Sequence, residues 1–438
     1  MASRRELLGK AGLGLGASLI GNSKAWAGAN DRIRVAVMGM GGRGGDLMTT
    51  SFRIGGVEVA AICDPDENRM RTWAASLEAL SDRRPRTEPD IRRILEDKNI
   101  DAILISCCNH WHALGSIWAC QAGKHVYVEK PVSHEIASGR ALVKAARQYN
   151  RCVQGGTENR SNIRMRKAVK LLHEGVIGEV YMARWIIAAR RDPIGFRQPE
   201  PPPPELHWDL WLGPAPEQPF HRNLVHYNWH WFWDFGNGEM GNNGTHYMDI
   251  ARFGLKVGLP VRVHSIGGRY GYKDQAQTPN TQTATFEYPD GKILACDIRG
   301  VYTGEESGWW FYGTEGSMWM RSNGEFSVYW LTNRSPDPIR SYSKEMDEGK
   351  MVSLPGATTA HLANFYDAIR ANDPKLLRGE IEEIHESCEL CLLANIAYRV
   401  GRKVEFDPAT ERFKDSDANA LLSRTYRKPY TFAEIRGL

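Results

Sequence analysis

Apolar positions along this chain follow two rhythms, and the change falls near residue 155. From 33 to 155, short apolar runs at 33–38, 57–63, 101–107, 125–129 and 151–155 alternate with helical segments at 65–80, 89–96, 111–122 and 133–149. That alternation predicts an α/β unit with a parallel, doubly wound sheet, whose ligands lie beyond the carboxyl ends of the strands. After 156 the pattern changes. A helix at 163–174 and a strand at 180–187 precede a loop-rich insert, 188–236, with a proline-rich stretch at 199–204. Alternating runs at 261–266, 281–288, 292–298, 309–312, 317–321 and 325–329 read as strands, and Pro289-Asp290-Gly291 supplies a hairpin turn between two of them. Hairpin-linked strands predict a mostly antiparallel sheet, hence an α+β second domain. Helices return at 361–372 and 380–400, and a tail from 415 starts as a helix. The expected units are 30–155, 156–360, and a C-terminal part, 361–438, that packs back on both. There are no internal repeats.

The first apolar run leads directly into chemistry. Ile33 to Met38 is followed by Gly39-Met40-Gly41-Gly42-Arg43-Gly44, a G-x-G-x-x-G, and the next strand ends at Asp64. Gly39 permits a tight turn, Gly41 lets the backbone approach a pyrophosphate, and Gly44 lets the next helix pack closely with its N-terminus toward the phosphate charge. Asp64 can accept hydrogen bonds from a ribose 2′-hydroxyl and would repel a 2′-phosphate, so NAD is expected over NADP. The fingerprint marks a Rossmann-type dinucleotide site; the competing reading is a glycine-rich turn without ligand.

Two further stretches carry groups suited to moving protons. Glu129-Lys130-Pro131 ends a strand, as Asn109-His110 follows another. A lysine there can hydrogen-bond a substrate hydroxyl and stabilise the alkoxide that forms as hydride leaves. The glycine-rich 236–244 leads into a helix carrying Asn242, His246 and Asp249, whose spacings place them on one face if the helix starts early. His246 can act as general base. Asn242 can orient a group but cannot take a proton. Read alone, Lys130 is equally a solvated strand-end residue and His246 a packed one.

Together these motifs resemble the Gfo/Idh/MocA oxidoreductases, named for glucose-fructose oxidoreductase and inositol dehydrogenase. The resemblance runs from the Gly39–Gly44 loop through Cys107-Cys108-Asn109-His110-Trp111-His112 and Gly123-Lys124-His125-Val126-Tyr127-Val128-Glu129-Lys130-Pro131 to the Gly-Asn-Gly loop, His246 and Asp249. It implies a Rossmann domain followed by an open-faced, mostly antiparallel sheet, NAD(P)-dependent chemistry on sugars or cyclitols, and homo-oligomers (dimers or tetramers) built through the sheet. Carried over by position, Lys130 and His246 form the catalytic pair, with Asn242 beside them. The cofactor set is Gly39, Gly41, Gly42, Arg43, Gly44, Asp64, Asn109, His112, Glu129 and Lys130. Two departures stand out: Asn242 replaces the aspartate common in the family's dehydrogenases, and Cys107-Cys108 replaces the usual Thr-Pro.

Composition then narrows the setting. Arg4-Arg5, an apolar stretch at 11–20 and Ala25-Trp26-Ala27 read as a twin-arginine leader of residues 1–27, and thus as export to the periplasm or beyond. The twin-arginine route also fits an exported subgroup that includes NAD-dependent α-N-acetylgalactosaminidases. Removing the leader reduces the formal charge from +4 to about +1, which leaves no case for nucleic acid. No membrane contact is expected after cleavage. Of the eight cysteines, Cys107-Cys108 and the Cys388-x-x-Cys391 pair are read as buried core rather than redox or metal centres, and no metal site is expected. Five of the fourteen tryptophans fall between 208 and 233, interleaved with His207, His221, His226 and His230. Flat rings stack on pyranose C–H faces, so Tyr227, Trp229 and Trp233, with Asn243 and Asp249, are expected to bind a sugar or glycoside. Three functions remain open: a sugar oxidoreductase, a redox-neutral glycosidase using bound NAD, and a non-catalytic sugar-binding protein.

Overall fold

The computed structural model describes residues 32–301, 303–330, 340–341 (backbone) and 356–433; the leader lies outside the described residues. Strands β1 (Ile33–Met38), β2 (Val57–Cys63), β3 (Arg86–Glu88), β4 (Ala102–Ile105), β5 (His125–Val128) and β6 (Val153–Gly155) form one sheet in the order β3-β2-β1-β4-β5-β6. Every pairing in it is parallel. Its central strands are buried on both faces, which is why they read as unbroken apolar runs. Alternate residues of β1 go to opposite sides: Val35 and Val37 pack with Leu47, Leu77 and Phe365, whereas Ala36 and Met38 pack with Leu114, Leu142 and Ile384. The strand order reverses between β1 and β4, so a crevice opens beyond their carboxyl ends. β3 has no apolar residue, and this is why hydropathy does not reveal it.

The second sheet has ten strands: β7 (Val180–Ala188), β8 (Arg262–Gly268), β9 (Thr281–Glu287), β10 (Ile293–Arg299), β11 (Gly308–Gly313), β12 (Gly316–Arg321), β13 (Phe326–Trp330), β14 (Arg340–Ser341), β15 (Val404–Asp407) and β16 (Arg412–Phe413). Their order is β14-β13-β12-β11-β7-β10-β9-β8-β15-β16. The turn at Pro289-Asp290-Gly291 joins β9 to β10, with Gly291 at φ +81°. One pair, β7 with β10, is parallel. The helices Ile163–His173, Gly244–Leu255 and Ile381–Val400 cover one face through Met165, Met248 and Leu393 against Trp185 and Phe311. The opposite face carries the Trp310, Trp319 and Tyr329 rings and an Arg184–Asp297 ion pair of 2.8 Å. Among the described residues no helix is long and apolar enough to cross a membrane.

The insert 189–236 has a small core of its own, including Trp211, Phe220 and Phe235. It folds over the carboxyl edge of the first sheet, anchored by Glu67 N–H donating to the Glu205 carbonyl and His207 N–H donating to the Pro65 carbonyl. Deeper in, Arg160 donates to both Asp249 carboxylate oxygens (Nε 2.9 and 3.1 Å, Nη2 2.8 Å), and the Ser387 hydroxyl donates to Oδ1 at 2.7 Å. Asp249 is fully buried, so this tie joins the turn after β6 to the helices Gly244–Leu255 and Ile381–Val400. Removing one partner leaves an uncompensated buried charge. Asp249→Ala should therefore lose about 3–5 kcal/mol of stability, read by urea denaturation, while NAD affinity of the folded fraction stays unchanged.

Candidate active site

A cleft of about 470 Å³ lies where the insert closes over the strand ends. Its floor begins at the glycine loop. A Cβ on Gly39, at φ +92°, would lie 2.5 Å from Cys107 N, and one on Gly44 would lie 1.9 Å from the Gly39 carbonyl oxygen. These two glycines are required by the protein's own packing. Gly41 differs, since its Cβ would meet only Arg69 Nη1 at 3.6 Å; it leaves free space above the turn. The helix Gly42–Ile54 starts there with no side-chain cap and no acidic residue in its first turn. Its first amides are thus open to an anion. Gly42 also lines the cleft, whereas Gly44 does not.

At the far side of the loop, Asp64 Oδ2 accepts from Met40 N–H at 2.6 Å and Oδ1 from Asp66 N–H at 2.9 Å. Burial pushes its pKa up to about 6 against these two donors. Each oxygen keeps lone-pair capacity for a ribose hydroxyl. Asn109 Oδ1 is buried with no hydrogen-bond partner and lines the same cleft. A glycine cradle, free helix amides, a ribose-side carboxylate and an orphan acceptor together fit a dinucleotide. His112 is held between the Pro131 carbonyl at Nδ1 (2.6 Å) and the Cys107 carbonyl at Nε2 (3.0 Å). It braces two strand-end loops that border the cleft.

The reacting end gathers buried charge. Lys130 Nζ donates to the Asn242 carbonyl at 2.8 Å and to its Oδ1 at 3.3 Å. Burial lowers the Lys130 pKa, opposed by Glu129 and Glu158. Arg43 Nε donates to Glu129 Oε1 at 2.7 Å, and its guanidinium also pairs with Glu158 and Asp46. Burial, with Glu129 beside it, raises Glu158 despite Arg43. His246 also lines the cleft; burial first and Lys130 second hold it well below the usual imidazole value. Its Nδ1 has no partner. His230 stacks on Trp229 with centroids 3.6 Å apart and is lowered to about 3, mainly by burial. Tyr227 and Trp229 complete this wall.

Three expected substrate residues are corrected by the structure. Asp249 does not face the cleft, because Arg160 and Ser387 hold it in the interior. The helix expected to carry it on one face with Asn242 and His246 is broken at Asn243, into Gly238–Asn242 and Gly244–Leu255. Asn243 donates to Glu239 Oε1 and is not among the residues lining the cleft. Trp233 lies in a different depression, its ring 5.2 Å from the Arg399 guanidinium. Conversely, Glu158 and Arg69 line the cleft and no motif marked them. The position of Glu158 just past β6 was the available signal, since ligands collect at strand carboxyl ends. Cys107 and Cys108, read as core, are only partly buried and border the cleft, whereas Cys388 and Cys391 are fully buried.

Comparison with known proteins agrees with this geometry. Residues 33–157 match the profile described as the Gfo/Idh/MocA oxidoreductase family's NAD-binding Rossmann fold, and residues 194–432 match its C-terminal alpha/beta domain. A glycosyl hydrolase family 109 protein of Solibacter usitatus is 31% identical over 167 residues, 35% of this chain and 38% of its own length. The uncharacterized oxidoreductase YdgJ of Escherichia coli is 24% identical over 78% of this chain and 90% of its own. The chain spans about a third to a half of the length of the first curated relatives it matches. Among solved structures, levoglucosan dehydrogenase in complex with NADH and levoglucosan superposes with a TM-score of 0.66 at 17% identity, over 85% of this chain and 99% of its own. The WlbA dehydrogenase of Bordetella pertussis, in complex with NADH and UDP-GlcNAcA, gives 0.66 at 17% over 86% and 99%. At these identities the structures establish the fold.

The Asp64 environment generates a pH prediction. Its pKa is raised to about 6, so below that pH the group is a neutral acid and a poorer acceptor; above it, the carboxylate is in place. NAD affinity should fall as pH drops through about 6 and level off above it. Isothermal titration across pH 5–8 checks this (roughly the range spanning that titration). Asp64→Asn should flatten the profile and narrow the preference for NAD over NADP.

Proposed function

Because the chain belongs to the Gfo/Idh/MocA oxidoreductase family, we propose that it is an NAD-dependent enzyme that removes hydride from a carbinol carbon of a carbohydrate or glycoside. The observation that carries this is Lys130. Its Nζ is half-buried at the strand-end floor of a cleft whose other end is a dinucleotide cradle, and two Asn242 oxygens hold it in place. NAD, when bound, supplies the hydride acceptor. Lys130 donates a hydrogen bond to the substrate hydroxyl oxygen and stabilises the negative charge that grows there. His246, kept neutral by burial, takes the hydroxyl proton. Asn242 aims the lysine and takes no proton. Tyr227 and Trp229 offer ring faces for a sugar, and Asp64 favours NAD over NADP.

Setting and assembly complete the reading. The twin arginine at Arg4-Arg5 with the Ala25-Trp26-Ala27 site supports export of a protein folded around its cofactor. The sheet face that no helix covers, where the partly exposed Trp310 ring lies 5.2 Å from Trp319, supports a homo-oligomer formed through that face. An exported enzyme has no pool of free NAD, so hydride must return to the same sugar or pass to a second one. A redox-neutral glycosidase is therefore the second reading, favoured by the family 109 relative and by the amide at Asn242. In that cycle oxidation at C3 acidifies the C2 proton, the leaving group departs across C1–C2, water adds at C1, and C3 is reduced again.

Lys130→Ala should lower turnover by about 10² to 10⁴ with NAD still bound, as read from steady-state kinetics and cofactor content. Unchanged turnover on a sugar that the wild type oxidises would remove the lysine from the mechanism. Reaction in deuterated water separates the two readings. Deuterium at C2 of the product without net NADH marks the glycosidase; NADH in proportion to substrate, with no C2 label, marks the dehydrogenase.

A further inference from the structure

Away from the cleft, the helix Ile381–Val400 buries a histidine and a carboxylate one turn apart. His385 and Glu389 are both fully buried. Neither ring nitrogen of His385 and neither carboxylate oxygen of Glu389 has a hydrogen-bond partner. Their closest approach, Nε2 to Oε2, is 3.6 Å, too long for a hydrogen bond between them. Glu411, from the turn between β15 and β16, brings a third donor. One ligand atom from each of the three lies within 4.8 Å of the others.

Four unpartnered polar atoms in the interior are costly, and each needs a counterpart. The nearby cations do not provide it. Arg140 donates to Glu382 Oε1 at 2.9 Å, and its Nε donates to Glu411 Oε1 at 2.8 Å. Both of its bonds to Glu411 land on Oε1. Arg252 is taken by Glu383 and Glu386. Gly139 makes room for the imidazole itself, since a Cβ there would lie 2.4 Å from His385 Nδ1.

We propose that His385, Glu389 and Glu411 form a binding site for a first-row divalent cation, with zinc the best match. Zinc takes one imidazole and two carboxylates at about 2.0–2.2 Å, which sets tetrahedral donors about 3.4 Å apart. The His385–Glu389 separation already stands near that value, and Glu411 closes by a small side-chain shift. Magnesium and calcium prefer all-oxygen shells, so an imidazole argues against them. None of the three residues lines the cleft, and both elements belong to the C-terminal part of the chain. The ion's role is structural. It fastens the helix whose Ser387 supports Asp249 and whose Cys388 Sγ accepts from Val132 N–H to the terminal hairpin.

The test uses the purified full chain, stripped with chelator and then titrated with zinc chloride. One equivalent should bind, and the melting temperature should rise with it. Glu389→Gln is nearly isosteric and removes a charge. It should weaken zinc by more than the ~10–100-fold that losing an outer-shell partner costs, and abolish the zinc-dependent rise in melting temperature. Glu411→Gln should do the same, and NAD binding by each variant reports that the fold is intact. A wild type that binds no zinc overturns the proposal. So does equal zinc affinity in the wild type and both variants, which would leave Glu389 a neutral buried acid.

Discussion

An ammonium half-withdrawn from water needs oxygen partners, and in this protein that requirement ties the two domains together. Lys130 ends a strand of the first domain, yet its direct acceptors, the carbonyl and side-chain oxygens of Asn242, belong to the second. Behind it Glu129 holds Arg43, and Arg43 in turn holds Glu158. Arg43 also pairs with Asp46 of its own helix, but Lys130, Glu129 and Glu158 find their partners in other segments. The interface can therefore close in one arrangement only, since any slip leaves a charge in the interior without a partner, at a cost of several kcal/mol. The Arg160–Asp249 pair applies the same constraint a few residues further along.

This explains why some of the site could be read from the chain and some could not. The glycine loop, Asp64 and the strand-ending Lys130 follow from local rules: steric need at Gly39 and Gly44, and the position of strand ends in a parallel sheet. Unbroken apolar runs likewise announced the first sheet, and alternation with a Pro-Asp-Gly turn announced part of the second. Asp249 shares the helix Gly244–Leu255 with His246, as the spacing implied, but Arg160 and Ser387 claim its carboxylate in the interior. Its true partner, Arg160, is 89 residues away, a distance no local pattern encodes. For Glu158 the one local signal is its position just past β6; its pairing with Arg43 comes only from the fold. The parallel pairing of β7 with β10 and the added strands β15 and β16 also depend on how distant segments return.

The aromatic insert shows how composition can mislead in a particular way. Its rings suggested a sugar platform, and many of them instead build the insert's own core: Trp208 stacks on Trp211 at 4.8 Å, and Trp211 packs against Phe235 at 4.8 Å. That core is what makes the remainder useful. A segment of nearly fifty residues with little secondary structure needs internal packing to hold a fixed shape. Only then can Tyr227, Trp229 and His230 stand as a rigid wall over the strand ends.

The charges in the cleft are unevenly matched, and the imbalance has a chemical direction. Arg43, Arg69 and Lys130 bring positive charge to its lining against the carboxylates of Glu129 and Asp90, while burial holds Asp64 and Glu158 nearer to their neutral forms than exposed carboxyls would be. Burial also keeps His246 and His230 uncharged. An oxygen that becomes negative beside Lys130 thus enters a field already arranged for it, without reorganisation at the moment of reaction. The neutral imidazole can receive a proton without first losing one. Under the proposed mechanism Asn242 belongs to the same balance, because a carboxylate at that position would offset the Lys130 charge that a substrate oxygen would meet. The main-chain carbonyl of residue 242 and the neutral side-chain oxygen of Asn242 aim the ammonium without pairing its charge to a carboxylate.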